Sequence, residues 1–159
     1  MAGSTLDSQV IGSKFLVGQY DHDPGATGAV VLSPDGGTTK YILDMRDYDA
    51  ILVQSRTSVS ASSSGVTKLE LVAYADSAGA GTAYVVKDSG TVAADAVGDL
   101  VKIECIAAEI AQIGSDNGVE LRYVTPRLTC SNAGDEAQVV VIRRAIRAYG
   151  DLTPATVIA

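Results

Sequence analysis

The sequence predicts an all-β protein: an antiparallel β-sandwich of jelly-roll type, or a partly open barrel, with at most one or two short helices. Three observations carry that expectation. The 159 residues are 47% hydrophobic but only 5% aromatic, with no Trp, one Phe and seven Tyr. The core must then come from Val, Ile, Leu and Ala, and Val and Ile suit a pleated, half-buried surface. Several segments alternate apolar and polar residues with a period of two, the pattern of a strand with one wet face. Finally, polar Gly/Asp/Ser/Asn turns separate about eight strands at fairly even spacing, with no strand–helix–strand alternation, which favours an antiparallel sandwich or barrel.

Taken in order, residues 1–18 read as an N-terminal arm, with a strand able to start near residue 14. Residues 19–28 (QYDHDPGATG) read as a loop rich in Asp, Gly and Pro, and 29–32 as a short apolar run. Asp35-Gly36 is the strongest signal in the turn at 33–39. Residues 40–45 alternate, with Tyr41, Leu43 and Met45 on one face, and a strand follows at 49–57. Beyond a polar loop at 59–65, Leu69, Leu71, Ala73 and Ala75 share one face while Lys68 and Glu70 take the other. A short strand at 83–87 precedes a further inward row, Val101, Ile103, Cys105 and Ala107. Residues 107–113 (AAEIAQI) are the credible helical piece, one or two turns long, because Ile106, Ile110 and Ile113 have helical spacing.

The turn at 115–118 ends in Asn117-Gly118, a hairpin signal. The next strand carries Val119, Leu121 and Tyr123 inward. After Pro126 the apolar row shifts phase to Leu128 and Cys130, which predicts a β-bulge or an edge position. A Ser/Asn/Gly/Asp turn then joins it to the closing strand as a β-hairpin. Residues 139–142 are apolar on both parities, which predicts a central strand covered on both faces. One domain spans 19–150, and 151–159 form a C-terminal tail.

The net charge of −7 argues against nucleic-acid binding, which needs a positive face to release counterions. A local basic patch is the exception, since five of the twelve cationic residues are Arg122, Arg127, Arg143, Arg144 and Arg147. No run of apolar residues is long enough for a transmembrane helix. The N-terminus lacks the basic-then-apolar pattern of a secretory signal, so synthesis in the cytoplasm is expected. Cys105 and Cys130 are expected to be buried free thiols, a single bridge being the alternative if their strands adjoin.

No motif for chemistry emerges. Asp21-His22-Asp23 contains the one histidine, and a transition-metal site needs three or four ligands. A solvated loop is expected there, with a loop Ca²⁺ site on Asp21 and Asp23 as the alternative. No GxSxG is present, and both cysteines lie in strand patterns rather than electropositive loops. The acids Asp44, Asp47, Asp49, Asp95 and Asp99 lack the Trp platforms that line sugar clefts. Gly36-Gly37 and Gly79-Ala80-Gly81 lack the GK[ST] element and a following helix. The expectation is a non-enzymatic protein with no cofactor and no metal. A carbohydrate- or receptor-binding sandwich, with a cleft lined by Tyr74, Tyr84 or Tyr123, is the alternative.

Several phrases resemble a known class. Tyr48-Asp49-Ala50-Ile51-Leu52-Val53 looks like a strand of small capsid-associated proteins of tailed bacteriophages. Leu69-Glu70-Leu71-Val72-Ala73-Tyr74-Ala75-Asp76 resembles their strand ending in a Ser/Asp-rich loop. Arg122-Tyr123-Val124-Thr125-Pro126-Arg127-Leu128-Thr129 is similar to another, and the Gly134 turn with 139–142 to the closing strand. The resemblance runs from residue 40 to 154 and departs in the longer N-terminal part and at Pro126. It implies a β-sandwich decoration or cement protein: made in the host bacterial cytoplasm, held on the capsid exterior, bound to the major capsid protein, and a homo-oligomer, dimer or trimer. A tail, neck or fibre component is the neighbouring alternative. No catalytic residues carry over. The expected capsid or subunit interface comprises the apolar arm residues Val10, Ile11, Phe15, Leu16 and Val17, with Arg143, Arg144 and Arg147.

Overall fold

The computed structural model describes residues 15–61 and 65–146. Its elements are β1 (Phe15–His22), β2 (Gly28–Val31), β3 (Leu43–Asp44), β4 (Tyr48–Val59), β5 (Val66–Tyr74), β6 (Tyr84–Asp88), β7 (Leu100–Ile106), α1 (Ala107–Asp116), β8 (Tyr123–Cys130) and β9 (Glu136–Ala145). A first sheet has the order β1-β9-β4-β7, and a second the order β2-β8-β5-β6, with β3 also on β8. All these pairings are antiparallel. The pairs are nested: β1 with β9, β2 with β8, β4 with β7, β5 with β6. That is one long hairpin rolled into two layers, the jelly-roll form of an antiparallel sandwich.

Alternation fixes the register. Val101, Ile103 and Cys105 are buried while Lys102 and Glu104 are exposed, as the period of two requires. Leu69, Leu71 and Ala73 of β5 meet Ile51 and Val53 of β4 and Val139 and Val141 of β9 in one core. Each fully buried Val, Leu or Ile contributes about 1.5–3 kcal/mol. A one-residue slip of a strand would turn its whole row outward, so the register is strongly specified.

Several elements differ from the sequence reading. β1 begins at Phe15 and pairs with β9 along its whole length. Residues 15–18 therefore belong to the sheet, not to an arm, and 19–22 to the strand, not to a loop. Of residues 40–45, only Leu43 and Asp44 join a ladder, although Leu43 and Met45 are buried on the core side as expected. Ala75 lies beyond the end of β5 and is exposed. Helix α1 runs ten residues and absorbs Ser115 and Asp116 of the expected turn. Its start is capped by Glu109, whose Oε2 accepts from the Ile106 N–H (2.9 Å). Its end is pressed onto the chain: the Val119 N–H donates to Gly114 O (2.9 Å), and a Cβ at Gly114 would lie 2.6 Å from Val119 O.

Pro126 sits in β8, an interior strand, without a bulge at that point. Its carbonyl accepts from the Leu32 N–H (2.7 Å). In an antiparallel ladder a residue's N–H and C=O face the same neighbour. The missing N–H thus faces the side where the chain leaves the sheet between β2 and β3, so no ladder bond is lost. The change of parity lies ahead of the strand, between Leu121 and Val124, and the inward row within β8 is Val124, Leu128 and Cys130. β9 is central as expected, but it lies in the first sheet and β8 in the second, so the two do not pair as the expected hairpin; Val140 and Ile142 on its outer side are only half-buried. β9 is covered on one face, not two.

Candidate functional site

The two sheets differ on their outer faces. On the second sheet, alternation turns Glu70, Val72 and Tyr74 of β5 and Thr125 of β8 outward, yet all four are buried. Glu70 accepts from Arg127 Nε (2.7 Å) and pairs with Lys68 (2.9 Å). Beyond Tyr74, Lys40 Nζ donates to Gly79 O (3.1 Å), tying the loop after β5 to the segment before β3. The centre of this face is therefore buried, while Val85 towards its β6 edge is 40% exposed.

Among the described residues, nothing covers the outer face of the first sheet. Phe15, Arg144, Ala50 and Ile106 lie side by side across its four strands. The next row is Val17, Ile142, Leu52 and Glu104, and the third is Gln19, Val140, Gln54 and Lys102. Val17 is 46% exposed and Ile106 50%. A groove of about 1140 Å³ runs over the first two rows, floored by aliphatic side chains and Phe15 and rimmed by Lys87, Lys102, Glu104, Glu109 and Arg144. Its volume exceeds the ~300–1,000 Å³ of small-molecule pockets, and its open form suits a macromolecular surface.

The rim charges are largely spoken for. Arg144 holds Asp49 through two bonds (2.8 and 3.1 Å), and this bond keeps the Asp49 carboxyl below the usual range. Lys87 and Glu109 form an ion pair that raises the lysine and lowers the acid. Away from the groove, Arg122 grips Asp44 through Nε (2.6 Å) and Nη2, and that hydrogen bond pulls the Asp44 carboxyl down to about 2.

Of the residues expected at an interface, the structure brings five together. Phe15 pairs across the ladder with Arg144, Leu16 with Arg143, and Val17 with Ile142. Phe15, Val17 and Arg144 line the groove. Leu16 and Arg143 have the opposite parity. Arg143 donates to Asp44 O (2.8 Å) and lies 4.3 Å over the Tyr48 ring, so it closes the end of the sandwich. Val10, Ile11 and Arg147 lie outside the described residues. Leu52, Ile106 and Ile142 were not among the expected interface residues; Ile106, read from its spacing as helical, ends β7. The double parity of 139–142 is the signal that marks Ile142 and Val140 as an outward apolar pair. The basic patch left open as an exception is dispersed: Arg122, Arg127 and Arg144 each face a carboxylate.

The sequence matches no family model, and no curated protein matches it. Among solved structures, the chain is similar to one in the structure of infectious bursal disease virus, Gx strain. The TM-score is 0.36 and the identity 13%, over 88% of this chain and 30% of that one. The chain thus spans less than a third of the length of the chain it matches, and a likeness this slight carries no argument about function.

The remaining reactive groups are enclosed. Burial pushes the thiols of Cys105 and Cys130 up to about 12, so they stay protonated, and both are free. Cys105 belongs to the first sheet and Cys130 to the second. His22 is not in a solvated loop: as the last residue of β1 it turns inward and is 1% exposed. The Ser33 N–H donates to its Nδ1 (3.3 Å), and burial lowers its pKa to about 4. Asp23 accepts from the Gly25 N–H (2.9 Å), a turn contact. Among the described residues, no group of three or more His, Cys, Asp or Glu is placed to hold a metal ion. Tyr74, expected at a glycan cleft, is buried, and no Tyr lines the groove.

Proposed function

We propose that this chain is a non-enzymatic virion structural protein that binds the outside of a bacteriophage capsid and cements the lattice of its major capsid protein. The observation that supports this reading is the asymmetry of the sandwich. The centre of one outer face is buried, and among the described residues the other is an open apolar floor beside the first strand. The resemblance across residues 40–154 points the same way. A cement protein needs a rigid body and an adhesive face, not a reactive centre. Binding only the assembled shell, each copy stabilises it by mass action.

The contact expected is the β1/β9 half of the open face, where Val17 and Ile142 are paired. Val17→Asp and Ile142→Asp each place a charge on that floor. Both side chains are outward, so the fold, read by circular dichroism, should persist. Co-sedimentation of the purified chain with capsids stripped of it should succeed for the wild type and fall at least ten-fold for either variant. Folded variants that still saturate the capsids would reject this face as the contact. A wild type that never co-sediments would reject the cement reading.

A further inference from the structure

The β7 edge borders the groove over the open face on the side away from β1 and β9. Among the described residues, β7 is an edge strand, bonded on one side, to β4. Two grooves flank its free edge. The larger one touches the inward residues Ile103 and Cys105, and the second, of about 430 Å³, touches Val101. These side chains point into the core, and the grooves reach them between β7 and the segment 87–94, which forms their opposite wall. An exposed edge of unpaired N–H and C=O groups is a template for another strand.

The outward residues of β7 read apolar, cation, anion, apolar: Leu100, Lys102, Glu104, Ile106. That order is its own complement when reversed. Two antiparallel copies centred on Ile103 place Lys102 opposite Glu104 and Leu100 opposite Ile106, each twice. On the inward side, Val101 meets Cys105 and Ile103 meets itself. Every opposed pair is then favourable. Sliding the register by two residues sets Lys102 against Lys102 or Glu104 against Glu104. Sliding it by one sets inward residues against outward ones. One register stands out.

We infer that the β7 edge pairs with the β7 edge of a second copy across a two-fold axis, joining two four-stranded sheets into one of eight. An axis normal to the sheet puts both open faces on the same side, a self-complementary contact of the kind two-fold dimers use. Seven residues a side are fewer than the ~20–30 of a standard interface, so the dimer should be concentration-dependent.

Sedimentation velocity over a range of concentrations at low salt tests it. The wild type should show a reversible monomer–dimer equilibrium. Lys102→Glu or Glu104→Lys turns both ion pairs into like-charge pairs and should weaken the dimer roughly ten-fold. The double variant K102E/E104K restores opposite charges in the same register and should return the affinity to within about three-fold of wild type. Both residues are exposed, and thermal unfolding confirms that each variant folds. A wild type monomeric at every concentration overturns the inference, and the charges then serve to guard the edge. Single variants that dimerise like the wild type, or a double variant that stays weak, overturn it too. Capsid co-sedimentation is read separately, on Val17→Asp and Ile142→Asp, because Lys102 and Glu104 also rim the groove.

Discussion

His22 is the one histidine of the chain, and burial sets both its tautomer and its response to pH. Its Nδ1 accepts from Ser33, so the proton of the neutral ring is on Nε2. The folded pKa, about 4, lies below the ordinary 6.5. The unfolded chain therefore binds a proton that the folded chain refuses between those values. The stability linked to His22 is complete above pH 6.5 and is lost as pH falls towards 4. The shift bounds the loss at about 3 kcal/mol. The carboxylates with lowered pKa, such as Asp44 and Glu70, act only below their own ordinary range, so the window from pH 6.5 to 5 belongs to His22. Urea midpoints should fall across that window in the wild type. In His22→Asn, whose side-chain oxygen replaces the Nδ1 acceptor, they should stay nearly flat, and an equal slope in both would contradict the assignment. The burial of His22 was hard to read because Asp, Gly and Pro crowd the residues that follow. Yet Tyr20 and His22 share the parity of an inward row once β1 is extended.

At the scale of elements, legibility followed the clarity of the alternation. The inward rows of β5 and β7 could be read from Leu69 to Ala73 and from Val101 to Cys105, since polar or charged neighbours separate them over much of their length, but Ala75 lies beyond β5, Ala107 opens α1, and Glu70 is buried. β1 was obscured because its pattern (FLVGQYDH) alternates poorly, and its register comes from β9, a partner more than a hundred residues away in sequence. Pro126 misled for a related reason: a proline disrupts only the side its N–H would face, and the sequence does not say which side is vacant. Helix α1 outran its apolar pattern because its end is held by tertiary contact at Gly114. Gly114→Val tests that contact. Its Cβ would meet the Val119 carbonyl, and overpacking of this kind costs about 1–3 kcal/mol. The expected melting temperature falls by about 2–12 °C for a chain of this size. An unchanged temperature would show that the helix end is free to move.

For the whole molecule, nested pairing and few aromatics agree: small β-branched side chains fill two thin layers over a long shared core. The fold class was therefore available from composition, period and turn spacing. The open face was only half available. Phe15, Val17 and Arg144 could be picked out, but their convergence with Leu52, Ile106 and Ile142 needs the strand order β1-β9-β4-β7, which no local pattern contains. The central claim is that this open face holds the chain on a capsid. The most direct measurement is cryo-electron microscopy of the virion made by the cells that encode the chain. The account predicts many copies on the outer shell, each turning the Val17–Ile142 face towards the major capsid protein. A few copies at a single vertex, or a shell in which that face points to solvent, would contradict it.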